Sequence, residues 1–101
     1  MEKFVVGFFG DGPWAHQAFD KLIQDSTIQI AFVCARFDAT DLILKQKALT
    51  HDIPFFIHND INSEDFFAQV AFSKYDLFVS MSFNQIFKKN HSFPNETELL
   101  N

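Results

Sequence analysis

The stretch FVVGFFGDGPWA, residues 4–15, decides how the rest of the chain can fold. Its first half, Phe4–Phe9, is a continuous apolar run, which is typical of a β-strand buried on both faces. Its second half, Gly10–Ala15, has the spacing G-x-G-x-x-A, which turns a strand into a helix in many α/β proteins. Pro13 falls at the first helical position, where its missing N–H is not needed. The stretch therefore predicts a β-turn-α unit at the centre of a parallel sheet.

Alternating strands and helices follow this first unit. Apolar residues recur at helical spacing after Pro13, and later segments repeat the strand and helix patterns. In chain order, we predict a helix after Pro13, a strand over 28–35, a helix over 41–50, a short strand over 53–57, a helix capped by Asn62 or Ser63, a strand over 76–81 and a further helical turn over 83–89. The alternation predicts an α/β fold with a Rossmann-like parallel sheet of about four strands, in the order 3-2-1-4, flanked by helices.

The end of the sequence has a different character. Residues 90–101 contain Pro94, several asparagines and no strand pattern, so we predict a loop or disordered tail there and one Rossmann-like unit over residues 1–89. The fourth strand would then lie at the edge of the sheet, although it is as apolar as a central strand. An uncovered apolar edge predicts self-association.

The composition excludes several classes of function. The 101 residues carry a net charge of −5, and no basic run is longer than Lys88-Lys89, which argues against nucleic acid as a partner. No segment approaches the roughly 20 apolar residues that a membrane helix needs. Cys34 is the single cysteine, so we expect no intrachain disulfide and a reducing compartment, the cytoplasm. The histidines lack the spacing of a helical metal site, and we expect no metal.

The turn itself allows two interpretations. In a dinucleotide-binding turn the first glycine allows the turn, the second lets a pyrophosphate approach the backbone, and a third small residue lets helix and strand pack closely. Gly10, Gly12 and Ala15 meet these requirements. Such turns also use an acidic residue at the end of the second strand, where this sequence has Arg36, a residue that would suit a 2′-phosphate. One alternative is an NAD(P)-binding domain; the other is the same turn without a cofactor.

The residues after the second glycine leave the role of the turn open. Pro13 removes one of the N–H donors that an anion would use at the start of a helix. Trp14 would either stack on a base or sugar or pack inward. His16 is expected in solvent, with an orientation towards the ligand crevice as the alternative.

A second stretch, Ser-Phe-Asn-Gln-Ile over residues 82–86, comes directly after the fourth strand. Together with Asp-Gly-Pro-Trp-Ala over residues 11–15, it resembles the N-terminal half of the N10-formyltetrahydrofolate-dependent formyltransferase family. The likeness is greatest to the sugar-nucleotide N-formyltransferases. It extends from Lys3 to Lys89 and is weak between Phe37 and Asn62. The resemblance thus implies an incomplete formyltransferase domain.

The resemblance also implies a reaction and a set of binding residues. The reaction is transfer of a formyl group from N10-formyltetrahydrofolate to the amine of a nucleotide-linked amino sugar. In that family the loop after the fourth strand helps to form the folate pocket. The candidate residues for substrate or cofactor binding are Gly10, Asp11, Gly12, Trp14, Ser82, Phe83, Asn84, Gln85 and Ile86. Considered without the resemblance, Phe83 and Ile86 fit the core of a helix start, while Asn84 and Gln85 fit either role.

The catalytic groups of the family have no counterpart in this sequence. The family uses an Asn-x-His pair on the next strand and a later Asp, whereas here Asn90 and His91 are adjacent and no Asp follows them. We therefore assign no catalytic residue. We predict a fragment or truncated form of a formyltransferase that is inactive alone. An NAD(P)-binding domain and a non-catalytic α/β interaction module are the alternatives.

Overall fold

The structure, a computed structural model, describes residues 3–85 and the backbone of residues 98–100. The elements in these ranges are β1 (Phe4–Gly10), α1 (Gly12–Gln24), β2 (Ile28–Ala35), α2 (Leu42–Thr50), β3 (Phe55–Ile57), α3 (Glu64–Val70), β4 (Leu77–Met81) and β5 (Glu98–Leu100). The strands form one sheet in the order β3-β2-β1-β4-β5, and every neighbouring pair is parallel. The predicted α/β class is confirmed, as is the order 3-2-1-4 of the first four strands.

The central strand β1 is buried on both of its faces. Its neighbouring residues Phe8 and Phe9 are both fully buried, and they point to opposite sides of the sheet because side chains alternate along a strand. Phe8 packs against Phe19 of α1, with 6.0 Å between ring centroids, in a cluster that also contains residues of α2. Phe9 packs against Phe66 of α3 at 5.9 Å. Helices α1 and α2 thus cover one face, and α3 covers the other.

Aromatic rings fill the face of the sheet that α3 covers. The ring centroid of Phe9 lies 5.3 Å from that of Phe32, 5.4 Å from that of Phe78 and 5.5 Å from that of Phe83, each in an edge-to-face arrangement. Such pairs stabilise a protein by about 0.5–1.5 kcal/mol beyond the burial of their area. Because Phe83 follows β4, this cluster anchors the first residues of the loop after that strand.

The helices begin where the local sequence signals place their starts. Pro13 lies in the first turn of α1. Asp41 caps α2, with Oδ1 accepting hydrogen bonds from two N–H groups of the first turn. Of the two caps predicted for α3, Ser63 is the one used, and its Oγ accepts a hydrogen bond from the Phe66 N–H at 3.1 Å. Since each helix follows a parallel strand, the helix starts lie at the carboxyl edge of the sheet.

Two predicted boundaries are corrected by the structure. The third strand begins at Phe55 rather than at residue 53, because Pro54 has no N–H to donate and takes part only through its carbonyl, which accepts from the Val33 N–H at 2.9 Å. The predicted helical turn after β4 is irregular over Phe83–Gln85, because Ser82 has a φ of 57° and redirects the chain. The rest of that turn, residues 86–89, lies outside the described residues.

The prediction of a loop or tail is wrong for residues 98–100. These residues form β5, which pairs with β4 in the register Leu77↔Glu98, Phe78↔Leu99 and Val79↔Leu100. The prediction that the fourth strand is an uncovered edge is therefore also wrong. A strand of three residues is too short for the alternation by which strands are recognised in a sequence. Residues 90–97 and Asn101 lie outside the described part of the chain.

Candidate functional site

The two sequence stretches that suggested a function lie side by side at the carboxyl edge of the sheet. Strands β1 and β4 are neighbours, and Gly10 pairs with Met81 at their ends. The N–H of Asp11 donates to the Met81 carbonyl at 3.1 Å and joins the turn after β1 to the loop after β4. The winding of the sheet reverses between these strands, and ligands of open α/β sheets bind at such a reversal. This edge is the candidate site.

The two glycines of the turn are required for different reasons. A Cβ on Gly10 would lie 2.7 Å from the Ala15 Cβ, so Gly10 allows α1 to approach the end of β1 closely. Gly12 has a φ of +79°, which disfavours any residue with a Cβ. No atom lies within 4 Å of the position that a Cβ on Gly12 would take, so the space beside this residue is open.

The backbone donor at the start of α1 is bonded to a side chain of the protein itself. The Gly12 N–H donates to Oδ2 of Asp41 at 2.8 Å, and Nε2 of His16 donates to the same oxygen at 2.6 Å. Oδ1 of Asp41 accepts from the N–H groups of Ile43 and Leu44. One carboxylate thus takes four hydrogen bonds and joins the starts of α1 and α2. The expectation that His16 lies in solvent is wrong, since its side chain is 17% exposed and bonded to Asp41.

The Asp41 carboxylate remains ionised in this environment. Its burial acts to raise the pKa, because only 8% of the side chain is exposed. The hydrogen bonds from the Gly12 and Leu44 N–H groups and from His16 favour the charged form and outweigh burial, so the pKa of Asp41 lies below its usual value. The start of α1 therefore already holds a negative charge.

A second group of charged side chains lies at the ends of β1 and β2. Arg36 binds Asp38 through two hydrogen bonds, with Nη2 2.8 Å from Oδ2 and Nε 3.1 Å from Oδ1. These bonds hold the pKa of Asp38 below its usual value. Nη1 of Arg36 also lies 3.8 Å from Oδ2 of Asp11. Asn84 donates to Oδ1 of Asp38 at 3.3 Å, so the loops after β1, β2 and β4 are joined by polar contacts.

The amide of Gln85 holds the loop after β4 against the loop before α3. Its Nε2 donates to the His58 carbonyl at 2.8 Å, and its Oε1 accepts from the Ile61 N–H at 2.9 Å. Both ends of the amide are thus used within the protein. Gln85 positions the loop in which the neighbouring candidate Asn84 lies exposed.

The remaining candidate residues differ in their exposure. Trp14 is 70% exposed on the first turn of α1, so inward packing, one of its two predicted alternatives, does not occur. Ser82 is exposed, whereas Phe83 is half-buried against Phe9. Ile86 lies outside the described residues. The structure thus brings Trp14 and Ser82 to the edge as accessible side chains, while Phe83 extends the core.

Sequence reasoning missed the most highly connected residue of the edge. Asp41 was predictable as the start of a helix, but its bond to Gly12 spans 29 positions of the chain and follows no local pattern. The role of Gln85 as a clamp was missed for the same reason, since its partners are 24 and 27 positions away.

Two other kinds of feature are absent from residues 3–85 and 98–100. No group of three or more His, Cys, Asp or Glu residues in these ranges could hold a metal ion. None of the helices described is long and apolar enough to cross a membrane.

The fold and this edge define the class of the protein. It is an α/β protein with a Rossmann-like parallel sheet and a polar carboxyl edge joined by Asp41, Arg36 and Asp38. Comparisons of the chain with protein-family models, curated proteins and solved structures found no match. The resemblance to formyltransferases therefore rests on the residues of its two stretches and stays a prediction.

Proposed function

We propose that this chain binds N10-formyltetrahydrofolate at the carboxyl edge between β1 and β4, as the binding part of a formyltransferase that acts on a nucleotide-linked amino sugar. One observation carries the proposal. The two stretches of the resemblance are far apart in the sequence, yet Gly10 pairs with Met81 and the Asp11 N–H bonds the Met81 carbonyl. The strand order brings the ends of β1 and β4 together, so both stretches can contact one ligand at this edge.

The accessible side chains of this edge suit a folate. Trp14 is 70% exposed and offers a large aromatic face on which a pterin ring can stack. Asn84 is exposed in the loop after β4, and besides its bond to Asp38 its amide offers a donor and an acceptor for the polar edge of such a ring. The open space beside Gly12 leaves the turn approachable. We propose these residues as the folate contacts.

Transfer of the formyl group requires more than this edge supplies. The amine of the acceptor must lose a proton as it attacks the formyl carbon, and the oxyanion that forms must be held by donors. The 101 residues contain neither the Asn-x-His pair nor the later Asp that the resemblance implies for these tasks. We therefore propose binding without turnover for this polypeptide, with the cytoplasm as its compartment.

The NAD(P)-binding alternative has less support. A dinucleotide pyrophosphate needs free N–H donors at the turn, but the Gly12 N–H is bonded to Asp41 and Pro13 has none. A 2′-phosphate needs a free cation, but Arg36 is bonded to Asp38 and lies near Asp11. The edge thus disfavours both phosphate contacts that distinguish a nicotinamide dinucleotide.

Calorimetric titration of the folded chain tests the proposal. We expect saturable binding of 5-formyltetrahydrofolate, a stable relative of the proposed co-substrate, and none of NADPH. Asn84→Ala should weaken folate binding, because the exposed amide is lost. Gln24→Ala is the matched control, because it removes an exposed amide at the opposite end of α1. Saturable binding of NADPH without folate binding would favour the dinucleotide alternative, and binding of neither ligand would favour the interaction module.

Self-association needs a separate test. It was expected from an uncovered fourth strand, and the pairing of β5 with β4 removes that physical reason. Sedimentation over a range of concentrations measures it directly.

A further inference from the structure

The Asp41 carboxylate lies where an anionic ligand would bind in a protein of this class. In phosphate-binding β-turn-α units, N–H groups at the start of the helix donate to phosphate oxygens, and the helix dipole favours the negative charge. Here Oδ2 of Asp41 lies 2.8 Å from the Gly12 nitrogen, a distance suited to a phosphate oxygen. The side chain is that of the N-cap of α2 and reaches this position from outside the turn.

We propose that Asp41 is a specificity-determining residue that excludes phosphate groups from the turn after β1. The carboxylate uses the Gly12 donor, and it places a fixed negative charge at the point a phosphate would occupy. The inference concerns the turn alone and does not depend on formyl transfer, because its test uses neither a folate nor a sugar nucleotide.

Asp41 cannot move aside without a large loss of hydrogen bonds. Its Oδ1 is held by the N–H groups of Ile43 and Leu44 as the cap of α2, while its Oδ2 is held by Gly12 and His16. Only 8% of this side chain is exposed to solvent. A phosphate would therefore have to displace a carboxylate that is fixed on both oxygens.

The neighbouring charges strengthen the exclusion. Arg36, whose Nη1 lies 3.8 Å from Oδ2 of Asp11, is itself bonded to Asp38. This edge thus holds the carboxylates of Asp11, Asp38 and Asp41 but only one guanidinium, with His16 bonded to Asp41. Like charges at short range oppose the entry of a phosphate.

The exclusion of phosphate restricts which chemical groups of a ligand can contact the turn after β1. The part of a ligand that reaches the turn must be uncharged or cationic, as an aromatic heterocycle or an amide is. A ligand that carries phosphates must place them away from Gly12. The glycine spacing of the turn suits a pyrophosphate. In this protein it therefore does not indicate which class of ligand binds.

Nuclear magnetic resonance of the glycine amides tests the inference on the full chain. Labelling with [15N]glycine gives three amide signals, because the chain has three glycines, and Gly7 and Gly10 serve as internal references for Gly12. Asp41→Ser keeps an oxygen that can cap α2 but removes the carboxylate from Gly12 and His16. Inorganic pyrophosphate is the probe. The control Glu64→Gln removes one negative charge at an exposed position of α3.

The expected result is a saturable shift of the Gly12 signal with pyrophosphate in Asp41→Ser, at an affinity at least about tenfold above that of the wild type, since a charge-assisted hydrogen bond is regained. Over the pyrophosphate concentrations that saturate Asp41→Ser, the wild type and Glu64→Gln should show no saturable shift. If Asp41→Ser does not fold, Asp41→Asn replaces it, because Asn caps a helix as well as Asp does. A saturable Gly12 shift in the wild type, or none in a folded Asp41 variant, overturns the inference.

Discussion

Replacement of Gly10 and Gly12 by alanine should destabilise the protein by different amounts and through different causes. In Gly10→Ala the new Cβ lies 2.7 Å from the Ala15 Cβ, 3.1 Å from a ring carbon of Phe8 and 3.3 Å from the Met81 carbonyl oxygen. Such overpacking costs about 2–3 kcal/mol. In Gly12→Ala the new Cβ has no neighbour within 4 Å, and only the φ of +79° is unfavourable. That strain costs about 1 kcal/mol.

A double-mutant cycle isolates the contact that makes Gly10 necessary. Ala15→Gly removes the methyl group nearest to the new Cβ, at a cost of about 1 kcal/mol for glycine inside a helix. When it is combined with Gly10→Ala, the clash is relieved in part, and we expect a favourable coupling of about 1–2 kcal/mol. Ala18→Gly is the matched control, because it carries the same helix cost in α1 at a position that does not face Gly10.

Urea unfolding followed by far-ultraviolet circular dichroism measures the free energies in this cycle. The control pair Gly10→Ala with Ala18→Gly should be additive to within about 0.5 kcal/mol. Additivity of Gly10→Ala with Ala15→Gly would refute the close approach of α1 to β1. A greater loss of stability in Gly12→Ala than in Gly10→Ala would reverse the roles assigned to the two glycines.

Three further predictions concern single side chains. The pKa of Asp41 is lower in the folded than in the unfolded protein, so its contribution to stability is present above about pH 4 and is lost as the pH falls through the folded pKa. In acid titrations followed by circular dichroism, Asp41→Asn should therefore make the free energy of unfolding less sensitive to acid. An unchanged dependence on pH would contradict this. Gln85→Ala should lower the free energy of unfolding in urea by about 1–3 kcal/mol, because two loop groups lose their partner, whereas Gln24→Ala should change it little. Cys34 is fully buried, and burial raises the pKa of its thiol to about 12. Ellman's reagent should therefore react only with unfolded protein. Rapid reaction of the native chain would show that the thiol is accessible.

Local patterns explain why most of the fold could be predicted. The strands 28–35 and 76–81 and the helix start at Asp41 follow from runs of apolar residues and a capping side chain, which act within a few positions of the chain. The strand order followed from the alternation of strands and helices. β5 escaped prediction because it has three residues and its pairing with β4 uses backbone groups that every residue has.

The candidate site could be predicted only in outline. Its location follows from topology, because the carboxyl ends of β1 and β4 must meet once the strand order is known. Its chemistry depends on which side chains bond across the edge, such as Asn84 to Asp38 over 46 positions. No period or spacing in a sequence encodes such a pair. This is why the exposed state of Trp14 and the half-buried state of His16, bonded to Asp41, needed the structure.

The glycine spacing of the turn describes a shape, and shape and binding have separate requirements. Gly10 is required by the approach of Ala15, and Gly12 is required by its backbone angle. Neither requirement involves a ligand. A turn can therefore satisfy G-x-G-x-x-A in full while its N–H groups at Asp11 and Gly12 are bonded within the protein.

Binding of a phosphate requires free N–H donors in addition, and three consecutive positions of this turn have none to offer. The Asp11 N–H donates to the carbonyl of Met81, the Gly12 N–H donates to Asp41, and Pro13 has no N–H. A ligand at this edge would then depend more on side chains than on the N–H groups of these three positions. The exposed side chains after the two strands, and not the glycines, are therefore where substitutions will separate binding from folding.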